Sequence, residues 1–396
     1  MEFREYLISE LGEIITGKTP STKNEENFGD QMPFLTPTDD MESRYVSNTI
    51  RKLSKKGIEV VRNKIIPKKS ICVSCIGSQL GKVVITTEDT VTNQQINSIV
   101  PNSNFNYLFL YYLMQREGRK LNYLSKNSTA VPIINKSEFS NLKVYAPSIN
   151  NQIKIANILD SYDQKIETNN KISANLEAQA QAIFKYYFID FEPFADGKFI
   201  DSDLGPIPEG WEVTNLGKVI NIHDSKRIPL SKMQREQMEK IYPYYGANGI
   251  IDYVDDYIFD GTYLLMGEDG TVVDENNHPI LNYVNGKIWV NNHAHVITGK
   301  NRSTEFIYIL LSQTNIQNIV TGAVQLKINQ TNLKSIKVIN PPRNILDIYE
   351  RNINSNFRLI IKLRKQNQTL AQTRDALLPK LIAGEIDLEK IGESYD

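Results

Sequence analysis

Residues suited to catalysis or metal binding are scarce in this sequence: 396 residues hold two cysteines and four histidines. Cys72 and Cys75 form a C-x-x-C pair inside the apolar run 71–76. A zinc site needs four ligands and the histidines lie far along the chain, so the pair reads as reduced thiols on a strand. A thioredoxin-like role needs a helix N-terminus after the motif, which Gly77-Ser78 does not supply. No apolar run approaches the ~20 residues that cross a bilayer. The opening Met1-Glu2-Phe3-Arg4 lacks the apolar stretch of a signal peptide, so a cytoplasmic location is expected. No glycine-rich loop follows a first strand, which argues against a methyl-donor site of the βαβ kind. A net charge of −1 argues against a generally basic nucleic-acid binder.

What the chain does have is an internal repeat. Residues 135–147 (N-K-S-E-F-S-N-L-K-V-Y-A-P) are echoed 194 positions later by 329–341 (N-Q-T-N-L-K-S-I-K-V-I-N-P). Each copy places an apolar strand after a polar turn, ends it at proline and enters about forty residues of heptad pattern. Further anchors follow in the same order. Residues 6–12 match 211–217 at an offset of 205, Pro33-Phe34-Leu35 matches Pro243-Tyr244-Tyr245 at 210, and Ile76-Gly77 faces Met266-Gly267. Residues 93–100 (N-Q-Q-I-N-S-I-V) match 291–298 (N-N-H-A-H-V-I-T) at 198, and so do the helical patterns 108–115 and 306–313. Between anchors, 41–66 and 252–260 diverge in length and charge, as loops on a shared frame do.

Short runs of Val, Ile, Tyr and Thr separated by glycine, proline and asparagine predict a mostly β domain in each copy. After each terminal proline the period changes. Ile155, Leu159, Tyr162, Ile166, Asn169, Ser173, Leu176, Ala180, Ile183 and Tyr187 alternate by four and three, as do Tyr349, Ile353, Asn356, Ile360, Leu363, Asn367, Leu370, Arg374, Leu377 and Leu381. Two long helices pairing antiparallel are the simplest way to hide both stripes, with the polar seam positions specifying register. The expected architecture is α+β with a pseudo-two-fold internal repeat. It comprises a first domain 1–148, a helical spacer 149–189, a linker 190–210, a second domain 211–342, a second helical spacer 343–385 and a tail 386–396.

Candidate contacts to a polyanion follow from the same comparison. The stretch 44–69 carries Arg44, Arg51, Lys52, Lys55, Lys56, Arg62, Lys64, Lys68 and Lys69 against Glu59 alone. Lys52, Lys55 and Lys56 stand for this cationic surface, whose bland reading is a solvated face. Gln95 and Asn97 align with His293 and His295, on what reads as a strand face, and suggest hydrogen-bonding readers of base edges, the amides pairing with adenine and the histidines with guanine acceptors. Polar groups satisfying turn backbone are the alternative. In the glycine turns, Gln79 and Lys82 suit a phosphate, whereas Glu268 and Asp269 suit a cytosine amino group. Asn248 is counted with these readers. Lys126, Ser128, Gln325 and Lys327 lie in polar turns before the last strand of each copy, as backbone-phosphate contacts. Asn340-Pro341-Pro342-Arg343 imitates the adenine-gripping tetrad of amino-methyltransferases. Arginine replaces its stacking aromatic, and the twin reads Ala146-Pro147-Ser148, so the prolines are punctuation.

Over its whole length the chain resembles the specificity subunits of type I restriction-modification systems. Residues 374–386 (R-D-A-L-L-P-K-L-I-A-G-E-I) are similar to that family's terminal helical segment, and 178–188 (A-Q-A-Q-A-I-F-K-Y-Y-F) to its central one. The resemblance implies a non-catalytic chain in which each of two target-recognition domains reads one half of a split double-stranded DNA sequence. It implies that the helices set the unread gap and dock two methyltransferase subunits, with restriction/translocase subunits completing the complex. No cofactor is then expected in this chain, S-adenosylmethionine and ATP belonging to the partners. Two rivals stay open: a recognition subunit of a related type II system with a fused methyltransferase-nuclease partner, and a self-contained methyltransferase, which would itself bind S-adenosylmethionine.

Overall fold

The computed structural model describes residues 2–46, 48–126, 133–322 and 326–388. It divides into two compact units, Met1–Glu167 with Asn367–Asp396, and Thr168–Gln366. The boundary cuts both long helices, Ile149–Phe188 and Arg343–Ala383, so each unit owns a stretch of each helix.

In the first unit a five-stranded sheet has the spatial order Gly12–Thr16, Ile96–Pro101, Ile71–Ser74, Val83–Thr86, Tyr45–Val46. Its inner face packs under the helix Tyr107–Lys126, with Phe109, Leu110 and Leu113 joining Ile71, Val73 and Ile85 in one core. A second sheet orders Phe28–Gly29, Arg51–Leu53, Met32–Leu35, Thr90–Thr92 and Ile65–Ile66. The second unit builds one six-stranded sheet, ordered Ile220–Ile222, Ala294–Gly299, Phe259–Gly267, Leu281–Val290, Tyr242–Gly246, Gly249–Val254. The long strand Leu281–Val290 does there what Val83–Thr86 and Thr90–Thr92 do in the first unit. Phe34 pairs parallel with Val91, and Tyr244 pairs parallel with Trp289, the same positions 210 and 198 residues on.

Strand registers locate the repeat better than letters do. Lys143–Ala146 pairs with Arg4–Leu7 and Lys337–Asn340 with Glu212–Asn215, so the opening strands correspond at an offset of 208, not 205. Cys75 and Glu268 occupy one position, each donating its N–H to the carbonyl of Gln95 or His293 at 2.8 Å. The facing of Ile76-Gly77 with Met266-Gly267 is therefore three residues out. Gly77 corresponds to Gly270, and both hold the left-handed backbone that glycine adopts without strain, φ 63° and 87°. The segment 41–66 also differs from a free loop. It contains the strand Arg51–Leu53 and the helix Lys55–Val60, and it buries Met41, Val46, Leu53, Val61 and Ile66.

Each long helix starts just after the proline that ends its strand, where a missing N–H costs nothing. Their 40 and 41 residues make each about 60 Å long. Within the second unit they run antiparallel. Asn169 Nδ2 donates to Gln366 Oε1 at 2.9 Å, Asn356 Nδ2 to the Leu176 carbonyl at 3.3 Å, and Tyr349 Oη to the Ala180 carbonyl at 3.3 Å. Within the first unit Arg374 pairs with Asp163, and Ile155, Ala156 and Leu159 share a core with Leu378, Leu381 and Ile382. The polar seam residues Asn169, Asn356 and Arg374 thus face specific partners, as register-setting groups should. Ser173 does not, since its hydroxyl donates to the Asn169 carbonyl of its own helix at 2.9 Å.

Arg44 belongs to this helical interface and not to the cationic surface on which its place in the charge run put it. It is buried, paired with Asp160 and with Glu167 at 2.9 Å, and its guanidinium lies 4.7 Å from the centre of the Tyr45 ring. Tyr112 Oη donates to Asp163 at 2.6 Å, which links the pair to Arg374. Removing one member of such a buried set strands the others, so it fixes this unit's sheet to its helices.

An aromatic cluster does the equivalent work in the second unit. Phe188 meets Phe184 and Tyr349 at 5.0 Å, Phe306 at 5.5 Å and Trp211 at 5.8 Å between ring centres. The stretch 190–210, expected to be a plain linker, adds Phe191 and Phe194 to this cluster and folds a small hairpin, Phe199–Ile200 with Ile207–Pro208. Phe188→Ala should lower the stability of this unit by about 3–5 kcal/mol in urea unfolding. A loss under about 1 kcal/mol would show that the cluster closes over the gap and does not anchor the helix.

Candidate nucleic-acid interface

The corresponding turns at 93–96 and 291–294 are built by asparagine. Asn93 Oδ1 accepts the Gln95 N–H at 3.0 Å, and Asn291 Oδ1 accepts the His293 N–H at 2.8 Å. Such a turn takes the second residue out of the strand's alternation. Gln95 and His293 consequently stand exposed on the turn, while Asn97 and His295 sit in Ile96–Pro101 and Ala294–Gly299 with their side chains buried. The expectation that all four face outward as readers is corrected for Asn97 and His295, which no base edge can reach where they lie.

Both buried groups have structural partners. Asn97 Oδ1 accepts from the Thr16 hydroxyl at 2.6 Å, and its Nδ2 points at the Ile134 carbonyl, 3.5 Å away, and at Cys75 Sγ, 3.3 Å away. His295 Nδ1 lies 2.6 Å from an Asp224 oxygen and Nε2 lies 2.8 Å from the Ile328 carbonyl. Asp224 also accepts from the Val296 N–H at 2.9 Å and from Gln330 Nε2 at 2.7 Å. Burial works to raise the Asp224 carboxyl, but His295 and the Val296 N–H outweigh it, and the group titrates below its ordinary range. Asp224, Glu268 and His295 have ligand chemistry for a metal and lie close together. Arg227 already supplies the positive charge there, 2.8 Å from Glu268 and 3.5 Å from Asp224. Glu268, expected to accept from cytosine, is committed to that arginine instead.

Burial lifts the Cys72 thiol to about 12 and the Cys75 thiol to about 11, so both are inert protonated groups in the core. Asn340 accepts from Arg302 Nη2 at 2.8 Å and Arg343 pairs with Asp347 at 2.8 Å, so in the N-P-P-R sequence the asparagine ends a strand and the arginine starts a helix, each committed to a structural partner.

The remaining candidates divide by exposure. Lys55 and Lys56 are exposed on the helix Lys55–Val60, and Lys52 is half-buried on the neighbouring strand. Lys56 pairs with Glu26 and Lys82 with Glu42, which a phosphate would have to displace. Gln79 is half-buried in the turn after Cys75, Asn248 is exposed at the hairpin tip between Tyr242–Gly246 and Gly249–Val254, and Asp269 holds the His293 ring. Lys327 is exposed beside Glu268, 3.7 Å away. Ser128 and Gln325 lie outside the described residues, and of Lys126 only the backbone, ending Tyr107–Lys126, is described.

One feature escaped the sequence. Thr38, Asp39, Arg51, Asn93 and Gln95 line a polar cleft of about 360 Å³ with Phe34 at its base. Arg51 was counted in the charge run and Asn93 in an anchor, but only strand pairing brings them together. Asp39 is held there by the Ile50 and Thr36 N–H groups at 2.6 and 2.7 Å. The cleft offers hydrogen-bonding edges and one cation, Arg51, near the Asp39 carboxylate.

The profile of the type I restriction modification DNA specificity domain family matches residues 2–178 and 208–366. The MjaIX type I restriction enzyme specificity subunit of Methanocaldococcus jannaschii is 30% identical, over 97% of this chain and 93% of that protein. The HindI type I specificity subunit of Haemophilus influenzae is 40% identical over 143 residues, 36% of this chain and 31% of that one. In fold, the S subunit of a type I restriction-modification system from M. genitalium matches with a TM-score of 0.54 at 15% identity, over 96% of each chain.

Because the Asp224 carboxyl is held below its unfolded value, its contribution to stability is complete above about pH 4 and is lost as pH falls through the folded value. Asp224→Asn should remove that contribution at every pH and destabilise the second unit by about 3–5 kcal/mol at pH 7, as breaking a buried pair does. The difference between variant and wild type in denaturant melts should shrink below pH 4. A difference independent of pH would show that the carboxylate charge is not what holds His295.

Proposed function

The chain belongs to the type I restriction-modification DNA specificity family, and we propose that it reads a bipartite double-stranded DNA target with one recognition domain per half-site. It is a DNA-recognition subunit and not itself an enzyme, as its relatives are specificity subunits. The observation that carries the reading is the repeated turn. One backbone frame presents Gln95 in one copy and His293 in the other, different hydrogen-bonding groups at one position. Equal domains with unequal readers suit a target with two unlike halves.

In this reading the paired long helices set the number of unread base pairs and dock two methyltransferase subunits. Those partners carry S-adenosylmethionine, and restriction/translocase subunits carry ATP, so this chain needs neither. No helix among the described residues is long and apolar enough to cross a membrane, and a cytoplasmic location belongs to this DNA-reading proposal. Exposed cations such as Lys55 bind backbone phosphate and carry no sequence information.

Mapping methylated adenines in cells carrying the system tests the reading directly: two short constant blocks separated by a constant gap are expected, and a single uninterrupted site would overturn it. Deleting seven residues from each long helix, so that Asn169 and Gln366 leave together, should change the gap and leave both blocks intact. An unchanged gap refutes the spacer role. Lys52→Ala with Lys55→Ala should weaken binding equally for all sequences and lower the slope of log K against log salt by about 1.8, or about 0.9 per lost phosphate contact. A sequence-dependent loss would instead make these lysines base readers.

A further inference from the structure

The two corresponding turns are held so firmly that the hydrogen-bonding character of each exposed side chain can be worked out atom by atom. Asn93 N–H donates to the Leu35 carbonyl and Asn291 N–H to the Tyr245 carbonyl, both at 3.0 Å, while the Gln95 and His293 carbonyls accept from Cys75 and Glu268 at 2.8 Å. Both turns are thus tied to the strands on either side, so the side chains leave rigid backbone.

In the first copy the chain of assignment begins at a backbone N–H, which can only donate. The Gln95 N–H gives its proton to Asn93 Oδ1 at 3.0 Å, so the other end of that amide is Nδ2. Asn93 Nδ2 then donates to Gln95 Oε1 at 3.0 Å. With its oxygen used, Gln95 turns its Nε2 outward, and that nitrogen makes no hydrogen bond within the described residues. Gln95 presents a donor, in the lining of the cleft that it shares with Arg51 and Asp39.

In the second copy the assignment begins at a carboxylate, which can only accept. Both Asp269 oxygens lie 2.8 and 2.9 Å from His293 Nδ1, so Nδ1 carries the proton. In the neutral ring Nε2 is then an acceptor, and it too makes no hydrogen bond within the described residues. The His293 side chain is 48% exposed, enough for a base edge to reach it.

We propose that Gln95 and His293 are specificity-determining residues of opposite polarity at one position of the repeated frame. Gln95 reads a base that offers an acceptor, such as guanine O6 or thymine O4, and His293 reads a base that offers an amino group, adenine N6 or cytosine N4. Asp269 is a positioning residue, which selects the ring tautomer. The sequence alone suggested guanine for the histidines, and the Asp269 contact reverses that choice. This inference rests on the bipartite DNA reading above.

The test is selection from randomised duplex DNA by the full chain in complex with its methyltransferase subunits, at pH 8. His293→Gln combined with Asp269→Ala gives the second copy the side chain of the first with no carboxylate beside it to take the amide N–H. It should change one base of the second half-site from an amino-bearing to a carbonyl-bearing one, with a preference of about 10-fold, and leave the first half-site as it was. Gln95→Glu should make the opposite change in the first half-site alone. Asp269→Asn, which frees the ring, should flatten the preference at the His293 base without moving the others. The unaltered half-site in each selection reports that the variant is folded. If the wild type enriches a two-block motif and the two reader variants enrich that same motif, this inference fails and the DNA reading stands. If the wild type enriches no two-block motif, the DNA reading fails first.

Discussion

Each copy of the repeat is closed by one buried polar link, and the path of the chain beyond it depends on that link. Asn97 faces the Ile134 carbonyl and His295 the Ile328 carbonyl, and the same two isoleucines donate their N–H groups to Cys75 at 3.0 Å and Glu268 at 2.8 Å. Backbone that enters a core must find partners for both its polar groups, so the segment can lie in one place only. From there the course is short. Asn135 and Asn329 cap the next helical turn, a four-residue strand pairs with the opening strand of its copy, and the long helix begins fifteen residues after the link in both. The link thereby sets where each helix is launched.

The two links use unlike chemistry within one geometry. Thr16 and Asn97 make a neutral pair, and at the same strand register the Asp224 carboxylate bonds His295 within an ionic set completed by Arg227 and Glu268. What the frame requires is that every buried donor and acceptor be satisfied, since an orphaned one costs about 1–3 kcal/mol or more. A neutral pair meets that requirement with two groups. The ionic version needs a larger set, because a buried charge must be both neutralised and hydrogen-bonded. Gly77 and Gly270 follow the same turn path in both, so the local backbone does not register the difference.

Much of this was legible in the sequence where the signal was long. The thirteen-residue echo at 194 residues places both capping asparagines, both proline-ended strands and both helix starts correctly, and eight residues at 198 place the inner strands. The heptad seams predict antiparallel helices, because their hydrophobic period survives local variation. Short signals failed in a consistent way. Leu-Gly and an apolar residue before Gly recur by chance, and each two-letter anchor slipped by three residues, about one helical turn, which letters alone cannot detect. The placing of His293 and His295 on one strand face failed because alternation was extended into a turn that Asn291 had already taken out of the strand. The cleft beside Gln95 was invisible because Thr38, Arg51 and Asn93 meet only through pairings between distant strands.

The turn also shows how one exposed position of such a frame can vary without loss of the fold. One residue separates Gln95 from Asn97 and His293 from His295, yet the members of each pair answer to different constraints. A substitution at 97 or 295 leaves a backbone carbonyl in the core short of a donor, so stability restricts it. A substitution at 95 or 293 leaves the three backbone bonds of the turn in place, because each runs through main-chain atoms or the preceding asparagine. Its side chain stands in solvent, where most changes cost within about 0.5 kcal/mol. The asparagine turn therefore puts the position free to vary next to the position that cannot. The helix seams obey the stricter of these constraints, since Asn169, Asn356 and Arg374 each answer to a partner on the other helix.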